Sequence, residues 1–98
     1  MSSESFARFD SADYLSTSDD VAAYLEAVLE DAPDDPKAIA AALGAIARSR
    51  NLSEIARQAG TSREGLYKAL SSDGNPSLAT IMKVARVLGL RLHFEAIA

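Results

Sequence analysis

The residues best suited to chemistry are five polar side chains near the start of a short predicted helix: Ser62, Arg63, Glu64, Tyr67 and Lys68. Side chains of these types can reach base edges when the N-terminal end of their helix enters the major groove of DNA. An ordinary solvated helix, capped by Ser62, would carry similar residues. We therefore treat the five as candidate base-reading residues, while the plainer alternative stays open.

Two short helices and a tight turn are needed to position these side chains, and the spacing predicts a helix-turn-helix over residues 53–71. Ala56 is small where the helices would cross, Gly60 can adopt the positive φ that ends the first helix, and Leu66 can be buried between them. Polar groups before and along the first helix could bind the DNA backbone. These candidate phosphate-binding residues are Arg48, Arg50, Asn51, Ser53 and Arg57.

Catalytic, metal-binding and cofactor-binding patterns are not found. The single histidine, His93, has no serine or carboxylate motif near it, and the chain has no cysteine. Paired aspartates occur where helices would begin or end, so capping explains them better than calcium binding. We predict a protein that is not an enzyme and binds no metal or cofactor.

The charge is divided along the chain. The net charge is −4, but residues 1–35 carry ten acidic side chains against one basic, whereas residues 36–98 carry nine basic against four acidic. This division suggests two partners of opposite charge. The alternative is that the acidic side chains only cap and solubilise the first helix.

The rest of the chain predicts one small all-α domain of about five helices, residues 18–98, after a flexible N-terminal arm at residues 1–17. Ser18, Asp35 and Ser77 are predicted helix caps, and Gly89 is a predicted helix stop. The apolar stripe of the first helix, which includes Val21, could either bind a partner or pack on the second helix. With no apolar run of membrane-spanning length and no signal peptide, we expect a cytoplasmic protein without a membrane partner.

The last residues alternate between apolar and polar side chains, which predicts a short β-strand over residues 90–96. Its apolar side is Leu90, Leu92 and Phe94. Because a lone strand leaves its backbone unpaired, these three residues are the candidate interface of a homodimer. A disordered tail is the alternative.

The chain as a whole resembles the addiction-module antidote proteins, HigA-like antitoxins with an Xre-type, lambda-repressor-like helix-turn-helix. The most specific matching stretches are IARQAGTSREGLYKALS and DGNPSL, and the resemblance runs from about residue 9 to residue 94.

This resemblance implies a cytoplasmic bacterial antitoxin that neutralises a HigB/RelE-like toxin and represses their shared operon by binding operator DNA. It also places Ser62, Arg63, Glu64, Tyr67 and Lys68 on the recognition helix. Two alternatives remain: a helix-turn-helix repressor without a toxin partner, and a protein-interaction module that has lost DNA binding.

Overall fold

The computed structural model describes residues 16–98, and all regular structure in that range is helical. Five helices follow one another: α1 Ser18–Asp31, α2 Pro36–Ser49, α3 Leu52–Ala59, α4 Arg63–Ala69 and α5 Leu78–Val87. This confirms the predicted all-α chain of about five helices for the described range. None of these helices is long and apolar enough to cross a membrane. The predicted arm at residues 1–17 lies, except for its last two positions, outside the described residues.

Polar side chains cap the helix starts, and two of the predicted caps are confirmed. The side chain of Asp35 caps α2 and that of Ser77 caps α5, and each accepts a hydrogen bond from a backbone amide of the first turn. Two other starts differ from the prediction. Thr17 caps α1 in place of Ser18, and α3 begins one residue before Ser53 because the Asn51 side chain caps it.

Ser18 instead connects the first helix to the last. Its hydroxyl donates a hydrogen bond of 3.0 Å to the carbonyl of Leu88 at the end of α5. Thr17 already occupies the cap position, so the Ser18 hydroxyl is available for a carbonyl that has no partner within its own helix. Gly89, with φ +83°, ends α5 as predicted.

The core includes all five helices. Its most deeply buried side chains are Val21, Leu43, Ile46, Leu66, Leu70 and Val84. Ile55 and Ala56 of α3 belong to the same cluster, and Tyr24 and Leu25 of α1 pack against it. The stripe of α1 therefore packs against its own domain at Val21 and Leu25, whereas Leu29 is 47% exposed, so the two alternatives left open by the sequence apply to different parts of the stripe.

The C-terminal strand is the clearest error of the sequence prediction. Residues 90–98 form no strand, and no segment within residues 16–89 forms a strand that could pair with them. Leu90 packs against the core, Leu92 is 48% exposed, and Phe94 is fully exposed. Alternation alone could not establish a strand here, because a strand needs a partner that pairs with its backbone.

Candidate nucleic-acid interface

Helices α3 and α4 meet at a tight turn. Gly60 has φ +75°, and the amide of Thr61 donates a hydrogen bond of 2.9 Å to the carbonyl of Ala56, so α3 ends in the left-handed conformation that glycine favours. Ser62 then caps α4 by accepting from the amide of Gly65 at 2.9 Å. Leu66, almost completely buried, fixes α4 against the core as predicted.

All five candidate base-reading side chains are exposed: Ser62, Arg63, Glu64, Tyr67 and Lys68. Ser62 uses one lone pair of its hydroxyl oxygen to cap α4, so its O–H donor and a second acceptor position remain. Tyr67 is 50% exposed despite its aromatic ring. The first turns of α4 therefore present donors and acceptors to the outside, as a surface that contacts DNA bases requires.

A concave site joins this helix start to the ends of two others. It has a volume of about 550 Å³ and is lined by Arg48, Arg50, Asn51, Leu52, Ser53, Arg63 and Tyr67, a set that we call the arginine cleft. The residues come from the end of α2, the start of α3 and the start of α4. Three arginine residues line one polar concavity beside a helix N-terminus, an arrangement suited to an anion such as phosphate.

The arginine cleft brings together residues from both sets that were predicted from the sequence. Four of the five candidate phosphate-binding residues line it, together with Arg63 and Tyr67 from the base-reading set. Ser62, Glu64 and Lys68 lie outside its lining.

Arg57 is the candidate phosphate-binding residue that lies outside the cleft. Its guanidinium binds the Glu54 carboxylate, which also accepts from Gln58 at 2.8 Å. Hydrogen bonds from Arg57 and Gln58 lower the pKa of Glu54, and the carboxylate raises the pKa of Arg57. Both side chains of the pair are substantially exposed, so water and salt weaken their attraction. Arg57 would have to leave Glu54, at least in part, to bind a phosphate.

Sequence reasoning missed Gly44, which sets how closely α4 approaches α2. Gly44 is buried, and a Cβ placed there would lie 2.6 Å from the backbone carbonyl oxygen of Leu70, the residue that ends α4. The absence of a side chain thus allows the end of α4 to contact α2 directly. The only signal in the sequence was a glycine within an apolar helical stretch, and an ordinary helix can also contain such a glycine.

The substitution Gly44→Ala should therefore destabilise the domain by about 1–3 kcal/mol, the usual cost of overpacking a core. The obstruction is backbone, which cannot rotate aside as a flexible side chain can. Urea unfolding measures the loss. Ala41→Gly, an exposed position in the same helix, is the control and should cost only about 1 kcal/mol through helix propensity. An unchanged unfolding midpoint for Gly44→Ala would contradict the close α2–α4 contact.

Metal binding has no support in the described part of the chain, where no three histidine, cysteine or acidic side chains come together as a candidate metal site. The chemistry available at the arginine cleft is the binding of an anion, with hydroxyl and amide groups around it.

Comparison with known proteins identifies the family. A family model described as "probable addiction module antidote protein" matches residues 5–96, nearly the entire chain. The chain belongs to this family. As an antidote protein it is implied to have a toxin as its partner.

One relative of this antidote comes from Haemophilus influenzae and is named only as an uncharacterized protein. The two are 49% identical over 87 residues, which cover 89% of this chain and 88% of the relative. No solved structure matches the antidote significantly. The family resemblance expected from the sequence is thus confirmed at the level of the antidote family.

Proposed function

We propose that this antidote is a DNA-binding antitoxin without enzymatic activity, which neutralises a HigB/RelE-like toxin in the cytoplasm and represses the operon that encodes both. In this proposal α3 and α4 act as a lambda-repressor-like, Xre-type helix-turn-helix with α4 as the recognition helix. A homodimer would place two such helices in successive major grooves, about 34 Å apart, on a roughly palindromic operator.

The observation that carries the proposal is the arginine cleft. Phosphate contacts supply most of the affinity of proteins for DNA, and they come from arginine, polar side chains and helix N-termini. Arg48 and Asn51 lie beside the start of α3, and Arg63 extends the same concavity to the start of α4. A phosphate held in the cleft would bring the exposed face of α4 to the edge of the adjacent groove.

The acidic net charge of the chain does not oppose this function. Residues 36–98 contain the whole cleft and carry nine basic against four acidic side chains, whereas the acidic excess lies in residues 1–35. Because exposed charges are screened beyond about 8–10 Å at physiological salt, local charge matters more than the total. The positive part of the chain can bind DNA while the negative part serves another partner.

The dimer interface that we propose uses the apolar residues after α5. Leu90 is partly buried against its own core, so the side chain most available to a second copy is the fully exposed Phe94, followed by Leu92. The contact would be made by side chains, since residues 90–98 form no strand. Sedimentation equilibrium of the full chain tests this state, and a monomer at the concentrations that bind DNA would contradict it.

Each of the two alternative functions lacks one of the two partners in this proposal. A repressor without a toxin partner would bind the operator but not the neighbouring gene product. An interaction module that has lost DNA binding would do the reverse. The accumulation of three arginines in one cleft favours DNA binding over the second alternative.

Two single substitutions on α4 test the proposal. Arg63→Ala should weaken operator binding by about 1–3 kcal/mol and relax sequence preference, because an arginine near the helix start can pair bidentately with guanine. Lys68→Ala should weaken operator and random duplex alike, because a lysine contributes mainly a point charge to a phosphate. Fluorescence anisotropy on both duplexes at several salt concentrations separates the two effects. Unchanged affinity in both variants would exclude this face of α4 from the DNA interface.

A further inference from the structure

An apolar groove lies on the side of the domain formed by α1, α2 and α5. It consists of two depressions, of about 220 Å³ and about 590 Å³, that share the lining residues Leu29, Ile39, Ile81 and Leu92. The first depression continues to Leu25 of α1, and the second to the loop before α5. No residue that lines the groove also lines the arginine cleft.

The groove leaves large apolar side chains accessible to solvent. Leu29 is 47% exposed and Leu92 is 48% exposed, and Leu78, at the far end, is 68% exposed. Isolated apolar residues on a surface need no explanation, but several that share one concavity indicate a binding site. The antidote therefore has a second concave surface that is mainly apolar, and its lining also contains the charged residues Glu26, Asp73, Lys37 and Arg91.

One side of the groove carries a row of carboxylates. Glu26 lines the groove, and Asp19 and Glu30 lie seven residues before and four residues after it, on the same side of α1. All three are exposed. Between residues 16 and 35 the chain has seven acidic side chains and no basic one. We call the row formed by Asp19, Glu26 and Glu30 the acidic rim.

We propose that this groove is where the toxin binds, through a segment that combines apolar side chains for the groove with lysines or arginines for the acidic rim. This inference rests on the proposed antitoxin function and adds the surface that performs it. Apolar burial would supply affinity, and the rim would select a basic partner and orient it. Because the groove and the arginine cleft share no residue, the antidote could bind its toxin and its operator together.

The charge of the acidic rim favours the toxin over a second copy that binds through its residues 90–98. Three of the exposed apolar residues that another copy could insert, Leu92, Phe94 and Ile97, lie in residues 90–98, where Arg91 is balanced by Glu95. Such a segment offers the rim no net positive charge. Phe94, the most exposed residue of the proposed dimer contact, does not line the groove, whereas Leu92 does.

Charge reversal of the rim is the first test. The full-length antidote would be titrated with the purified protein encoded by the neighbouring reading frame, by surface plasmon resonance at low and high salt. Glu26→Lys combined with Glu30→Lys should weaken binding at low salt by about tenfold or more, and the loss should shrink as salt screens the charges. Asp31→Lys combined with Asp34→Lys changes the net charge equally outside the groove and should leave the affinity nearly unchanged.

Truncation of the groove lining is the second test. Leu29→Ala should weaken the same complex by roughly tenfold, because it removes apolar surface that the partner would bury. Met82→Ala is the matched control, since Met82 is 51% exposed and lies outside the groove lining. Circular dichroism should show native helix content for all four variants, since none of the changed side chains is buried.

The outcomes separate this inference from the proposed function. If the wild-type antidote does not bind the neighbouring gene product, the antitoxin proposal itself fails, and the inference fails with it. If the wild type binds and the groove variants bind equally well, the antitoxin proposal stands and the toxin uses another surface. If the groove variants instead convert a wild-type dimer into a monomer in sedimentation, the groove holds a second copy and the inference is overturned.

Discussion

Removal of residues 1–33 should unfold the antidote. This deletion removes α1, whose Val21 is fully buried in the core and whose Tyr24 and Leu25 pack against it. Burial of one such side chain contributes about 1.5–3 kcal/mol. Together these losses approach the total stability of a small domain, about 5–15 kcal/mol. Far-ultraviolet circular dichroism and thermal melting of the truncated chain measure the result, and a cooperative melt near that of the full chain would contradict it.

A pair of point substitutions gives the matched control for this deletion. Val21→Asp places a carboxylate in the core and should cost several kcal/mol, because an unpaired charge would be buried without hydrogen bonds. Ala23→Asp makes the same chemical change at an exposed position of the same helix and should cost no more than about 1 kcal/mol. Similar melting temperatures for the two variants would show that α1 is not part of the core.

The combination of Arg48→Ala with Arg63→Ala should abolish most of the operator binding. The two arginines line the arginine cleft from α2 and α4, so their loss removes the proposed contact of Arg48 with a phosphate and that of Arg63 with a base edge. A loss of about 1–3 kcal/mol for each contact gives about 2–6 kcal/mol in total. Because Arg48 is the phosphate contact of the pair, the slope of log K against log salt should also become shallower by about 1.

The control for this double variant is Lys83→Ala combined with Arg86→Ala. Both residues are exposed on α5, outside the cleft, and their removal lowers the net charge by the same amount. Equal losses of affinity in the two double variants would mean that total charge, and not the cleft, determines DNA binding. Anisotropy titrations with one operator duplex, repeated at four salt concentrations, provide both the affinities and the slopes.

The parts of the fold that local chemistry determines could be predicted from the sequence. Gly60 ends α3 because a left-handed residue is needed there, and Asp35 and Ser77 cap their helices because each precedes a helical apolar pattern. The burial of Leu66 follows from the same periodicity. Each of these features depends on residues that are close together in the chain.

The parts that depend on distant segments could not be predicted. The apolar stripe containing Val21 would look the same whether it packed on α2 or on a toxin. The alternation after Leu90 suggested a strand, but whether a strand forms depends on a partner that no local pattern reveals. Ser18 was a reasonable cap, yet its hydroxyl binds Leu88 because folding brings the end of α5 beside it.

The candidate site follows the same division. The side chains that could contact DNA were predictable from their types and from the turn at Gly60. The grouping of these side chains was not predictable, because Arg48 and Arg63 come together in the arginine cleft only after α2 and α4 have packed. The role of Gly44 in that packing depends on the carbonyl of Leu70, 26 positions away along the chain.

The most direct test of DNA binding by this antidote is a titration of the unmodified full chain on two duplexes of equal length. One carries the sequence immediately upstream of its own gene, and the other carries the same bases in scrambled order. At physiological salt we predict that the upstream duplex binds at least about 10³-fold more tightly, the lower end of the range for specific DNA-binding proteins. Equal affinity for the two duplexes, or no binding to either, would contradict the proposed function.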